Sequence, residues 1–158
     1  MNEVRKLEYK YADIIHKHLR KALRGFHDWY GMLKHSSDYQ DGNLSFDLIY
    51  KLNLVISVRV RKNKYIKYKD MTIRYRSKNG GKTEFDKIKE GYAQIYFYAY
   101  ENETSTDFAK VRIVDVDAIR KLIDNKLYKV YKNADGTELA TFAFTDIYNF
   151  NGAIYQYD

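Results

Sequence analysis

Apolar residues recur at spacings of three and four near the N-terminus, at Leu7, Tyr11, Ile14, Ile15, Leu19, Ala22, Leu23 and Phe26. A 3.6-residue period places them on one face, so the pattern predicts an amphipathic helix over residues 7–26. Glu3 and Glu8 near its start and Arg20, Lys21 and Arg24 near its end suit the helix dipole, and Gly25 is a stop signal. The polar stretch that follows carries an Asp41-Gly42 turn. From Leu54 the period changes to two. Ile56, Val58 and Val60 alternate with Ser57, Arg59 and Arg61, and Met71, Ile73 and Tyr75 alternate with Asp70, Thr72, Arg74 and Arg76. Alternation of this kind predicts two strands with opposite faces of different character.

Beyond the Asn79-Gly80-Gly81 turn, Thr83 to Ile88 reads as a strand end or as a short helix stopping at Gly91. The most apolar run, Gln94 to Tyr100, predicts a central strand. An acidic loop, Glu101 to Asp107, leads into an alternating strand from Ala109 to Val116. Asp117 is placed to cap a helix running to Asn125, with Ile119, Leu122 and Ile123 as its buried stripe. Strands are expected at Tyr128–Tyr131 and Leu139–Phe144, around a turn at Asp135-Gly136, before an aromatic tail of Tyr148, Phe150, Tyr155 and Tyr157. This order predicts an α+β fold of mixed α/β layers over residues 1–158 as a single domain. One central mixed sheet would carry an N-terminal helix and one or two further helices.

Composition narrows the partners. Apolar residues make up 45% of the 158, enough to build a core, and 17 tyrosines outnumber eight phenylalanines and one tryptophan. Tyrosine combines a ring that packs with a hydroxyl that needs a partner, so many of these rings are expected half-buried or at an interface. With no cysteine, disulfides, thiolate metal sites and cysteine nucleophiles are excluded. No long apolar run and no signal-peptide pattern occurs, so the expected location is cytoplasmic, with no membrane partner.

Charge is concentrated. Arg59 to Lys82 holds ten Lys/Arg and one acid, Asp70, and so carries +9, while the whole chain is +7. A patch of this kind attracts polyanions by Coulomb's law and by counterion release. If the strands holding Arg59, Arg61, Arg74 and Arg76 pair, the four guanidinium groups converge on one face. Like charges directly opposite one another on a sheet repel, which points to an anionic partner. Candidate contacts are Arg59, Arg61, Lys62, Lys64, Arg74, Arg76, Lys78 and Lys82.

Catalytic signals are thinner. His16, His18, His27 and His35 show no metal-binding spacing, and Gly80-Gly81 is not a phosphate-cradling loop. Asp70 and Glu84, on or beside the basic run, are the carboxylates available to hold Mg²⁺ against a phosphate, with Lys87 to orient water. A salt bridge from Asp70 to Arg74 or Arg59 is the plainer use of that acid.

The segments FDLIYKLN, VISVRVR, YKDMTIRYRS, TEFDKIKEGYAQIYFYAY and VRIVDVDAIR together resemble the divergent restriction-endonuclease-like, or PD-(D/E)xK, nucleases of phages and mobile elements. The resemblance implies a first helix bearing a Glu, for which Glu8 is the candidate, then an acid before one strand and a following strand that ends in Glu/Gln-x-Lys/Arg. This chain departs from that pattern. It has Asn53 where an Asp is wanted after Asp47, and Ser57 where Glu or Gln is wanted before Arg59. A second register using Asp70, Glu84 and Lys87 has a spacing one residue too long. The expectation is therefore a basic protein on a nuclease-like scaffold without intact catalysis. It would need no cofactor and would bind DNA, RNA or a nucleic-acid-handling protein complex, for instance as a phage inhibitor of a host defence nuclease. The alternative is a Mg²⁺-dependent DNA/RNA endonuclease using Asp70, Glu84 and Lys87.

Overall fold

The computed structural model describes residues 10–22, 33–35, 48–50 and 55–158, with 33–35 and 48–50 described as backbone. In chain order the elements are α1 (Ala12–Ala22), β1 (Leu33–His35), β2 (Leu48–Tyr50), β3 (Val55–Arg61), β4 (Asp70–Arg76), α2 (Glu84–Lys89), β5 (Ile95–Glu101), β6 (Phe108–Asp115), α3 (Val116–Asp124), β7 (Lys129–Lys132), β8 (Glu138–Ala143), α4 (Phe144–Asn149) and β9 (Ala153–Tyr157). A single 3₁₀ turn, Asn63–Tyr65, lies between β3 and β4.

β5 is buried at every residue and organises the rest. It lies at the centre of a mixed sheet ordered β1-β2-β3-β5-β6-β9, parallel to β3 and antiparallel to β6. Burial on both faces explains why its sequence is a near-continuous apolar run. On one face, Phe97 and Ala99 join Ile56, Val58 and Val60 of β3 and Val111 and Ile113 of β6. These pack beneath Tyr11, Ile15 and Leu19 of the N-terminal helical segment. On the other face, Tyr96, Tyr98 and Tyr100 meet Met71 and Ile73 of β4, Ala140 and Phe142 of β8, and the apolar stripes of α2, α3 and α4.

The α+β class, the mixed central sheet and the N-terminal helix are as the sequence predicts. A second, three-stranded antiparallel sheet, β4-β8-β7, is an addition to that picture. It overturns the expected pairing of the two arginine-bearing strands. β3 already has β2 and β5 on its two edges, while β4 pairs with β8. The other edge of β4 is closed by side chains. Thr72 N–H donates to the Tyr98 hydroxyl at 3.3 Å, the Tyr100 hydroxyl donates to the Asp70 carbonyl at 3.0 Å, and Arg74 N–H donates to Glu84 Oε2 at 3.0 Å. The alternate tyrosines of β5 thus satisfy backbone groups that a neighbouring strand would otherwise pair.

Thr83 to Ile88 resolves as a helix start. Thr83 accepts from Asp86 N–H and Asp86 accepts from Thr83 N–H, a reciprocal capping box. α3 starts earlier than expected, because Asp115, not Asp117, is the cap, its side chain accepting from Asp117 N–H. α4 and β9 come out of the tail that its aromatic content alone left unassigned. Between them, Gly152 sits against Ala118 and Ile147 so closely that an added Cβ would lie 2.5 Å from Ala118 Cβ. Leu7, Glu8, Gly25, Phe26, the Asp41-Gly42 turn, Asp47 and Asn53 lie outside the described residues.

Candidate functional site

The residues of the basic run separate into two groups. In the first, each cation sits beside one of the protein's own carboxylates. Arg59 is buried and ion-paired to Glu84, whose other contacts are the Tyr96 hydroxyl at 2.7 Å and Arg74 N–H. Burial by itself would push the Glu84 carboxyl up. Arg59, the Tyr96 hydroxyl and the Arg74 amide together outweigh it and hold the carboxyl below its ordinary 4.5. Tyr96, buried beside this carboxylate, is pushed well above its ordinary value. Arg76 lies 3.6 Å from Glu138, and Lys82 pairs with Glu90 and stands over the Tyr92 ring. The four arginines therefore do not form one open cluster. Two of them sit beside the protein's own carboxylates.

In the second group the charge faces solvent. Lys62, Lys64, Lys67, Lys69, Arg74 and Lys78 are exposed. Among the described residues, Lys64, Lys67, Lys69 and Arg74 form no ion pair. Lys64 and Lys67 stand over the rings of Tyr65 and Tyr68, with their Nζ atoms 5.1 and 5.4 Å from the ring centroids. Lys67 and Lys69 were not among the contacts expected from sequence, although they lie in the same run.

The rings of Tyr65 and Tyr68, under Lys64 and Lys67, line a cavity of about 390 Å³ at the β4 edge, where the tyrosines of β5 reach the outer face of the β4–β8 pair. Tyr98 and Tyr100 of β5, almost fully buried, line it together with Thr72 of β4 and Thr141 and Leu139 of β8. Tyr65, Tyr68 and Tyr131 are also lining residues, and the last two are half exposed. The remaining walls are Arg61 and Asp70. Arg61 stacks on Tyr65 with its guanidinium carbon 4.3 Å from the ring centroid, and it donates to Thr72 Oγ1. Burial pushes the Asp70 carboxyl above its ordinary value, with Arg61 opposing. Thr141 is buried, and its hydroxyl has no hydrogen-bond partner. The strand register explains the wall. Thr72 pairs with Thr141, and Leu139 with Tyr131, so these side chains share a face opposite to Met71, Ile73, Ala140 and Phe142.

The residues proposed to hold Mg²⁺ are not brought together. Glu84 bonds at Arg74 and Asp70 lies four residues away on the same strand, about 13 Å at ~3.3 Å per residue. Two carboxylates sharing one Mg²⁺ each need an oxygen about 2.1 Å from it. Glu84 also already accepts from three donors, and Lys87, one turn further along α2, is buried. This donor set does not fit a shared Mg²⁺. Among the described residues no cluster of three His, Asp or Glu stands at metal-binding distance, and no helix is long and apolar enough to cross a membrane. No protein-family model matches the chain, and no curated protein matches it.

Proposed function

We propose that the protein is a non-catalytic nucleic-acid-binding protein that engages a single strand through the connector between β3 and β4. If its resemblance to restriction-endonuclease-like proteins reflects descent, the relationship is to a form whose metal site has been turned over to structure. The observation that carries this reading is that Lys64, Lys67, Lys69 and Arg74 are exposed and, among the described residues, without carboxylate partners, with Lys64 and Lys67 over the rings of Tyr65 and Tyr68. Cationic side chains tracking a backbone, interleaved with aromatic faces for bases, make up the general physics of single-strand recognition. The buried Arg59–Glu84 pair supports the non-catalytic half, since it spends on the core a carboxylate that a nuclease would turn toward phosphate.

Fluorescence anisotropy with labelled single-stranded and duplex oligonucleotides at low salt tests the reading. Tighter binding of the single strand, with no cleavage when Mg²⁺ is added, is the expected result. Cleavage that EDTA abolishes and that Asp70→Ala or Glu84→Ala removes would restore the endonuclease alternative. Absence of nucleic-acid binding, with capture of a host nuclease from lysate that survives nuclease treatment, would turn the reading to a protein-directed inhibitor.

A further inference from the structure

We propose that the cavity at the β4 edge receives a single nucleobase, and that guanine fits it best. This deepens the nucleic-acid reading of the same region and rests on it. Three features of the cavity converge. Its volume of about 390 Å³ lies at the small end of the ~300–1,000 Å³ range of ligand pockets, the scale of one ring system rather than a large cofactor. Its ring lining is tyrosine throughout, with Tyr98 and Tyr100 buried at about 1% exposure and Tyr68 and Tyr131 at 50% and 54%. A planar heterocycle can stack against the exposed tyrosine faces.

The third feature is polar. Thr141 is 9% exposed, lines the cavity, and has a hydroxyl with no partner. A buried hydroxyl left unbonded is costly, and native structures pair nearly all such groups. The Thr141 hydroxyl is closed off in the free protein, and a base recovers its hydrogen bond when the side chain turns that hydroxyl into the cavity. Asp70, also a lining residue, is an acceptor when ionised. An apolar guest would leave both unpaired. Among the common bases, guanine alone presents two adjacent N–H donors, N1–H and the N2 amino group, beside a carbonyl acceptor, O6. The two donors suit the Asp70 carboxylate and the acceptor suits the Thr141 hydroxyl. The sugar and phosphate would then emerge beside Lys64 and Lys67, which stand over Tyr65 and Tyr68.

Calorimetric titration of the full chain with GMP, AMP, CMP, UMP and ribose 5-phosphate tests the assignment. GMP is expected to bind one per chain and most tightly, and ribose 5-phosphate not to bind. Thr141→Val should weaken GMP about tenfold while leaving the thermal midpoint unchanged or higher, because the hydroxyl it removes bonds to nothing in the free protein. Asp70→Asn should erase the preference for GMP over AMP, and Tyr131→Ala, on an exposed strand, should weaken GMP about tenfold. Ribose 5-phosphate binding as well as GMP, or GMP affinity unchanged in Thr141→Val and Asp70→Asn, would overturn the proposal. An abasic oligomer that binds as tightly as a base-bearing one would overturn the cavity assignment and leave the backbone reading in place. GMP binding without oligomer binding would do the reverse.

Discussion

Glu84 shows how one side chain sets what its neighbourhood is for. It accepts from a guanidinium, a phenol and a backbone amide, so three elements hold it. Removing one member of a buried pair strands the other charge, and Glu84→Gln is expected to cost about 3–5 kcal/mol in urea unfolding. Its pH dependence follows from the sign of the shift. The folded carboxyl sits below the unfolded 4.5, so its stabilisation is complete above that value and is lost as pH falls through the folded one. Acid titration of wild-type stability should therefore fall away more steeply below about pH 4.5 than that of Glu84→Gln. The Tyr98 hydroxyl plays a quieter part. It accepts from Thr72 N–H, and Tyr98→Phe would leave that amide without its partner, for an expected loss of about 1–3 kcal/mol by denaturant titration.

Among the elements, the strands that the sequence made plain are those with strong alternation or continuous burial, β3, β4, β5 and β6. Side-chain period reports which face is wet, but not which strand lies alongside. Arg59 and Arg61, like Arg74 and Arg76, were readable as sharing one face of their strand, but Arg59 proves to be buried. The separation of the two pairs into two sheets was not readable, because it depends on β8, more than sixty residues further along, competing for the edge of β4. The cavity was not read from the sequence, although two of its walls, Tyr98 and Tyr100, stand two apart in a run already assigned as a strand and so share a face. Tyr131 and Thr141 could not be added from sequence, since only the register of β7, β8 and β4 brings them there. The tail carried a comparable hidden constraint in Gly152. An added Cβ there would meet Ile147 Cγ2 at 2.7 Å and the Ile147 carbonyl at 2.8 Å, so Gly152→Ala should cost about 1–3 kcal/mol by overpacking α4 against α3, measured by thermal melt.

On the scale of the whole molecule, the net charge of +7 is divided by position more than by amount. Arg59 and Arg61, at the junction of the sheets, are committed to a buried carboxylate, a ring and a hydroxyl, whereas the lysines of the β3–β4 connector face outward. The junction is thus held by charge and hydroxyl pairing, and the adjoining surface is left for a visitor. The most direct measurement is the salt dependence of single-stranded oligonucleotide binding, compared between wild type and a Lys64→Gln, Lys67→Gln, Lys69→Gln variant that keeps the wild-type thermal midpoint. At about 0.7 counterions released per phosphate contact on a single strand, the slope of log affinity against log salt should shrink by about two in the variant. An unchanged slope, or no binding by wild type at low salt, would contradict the account.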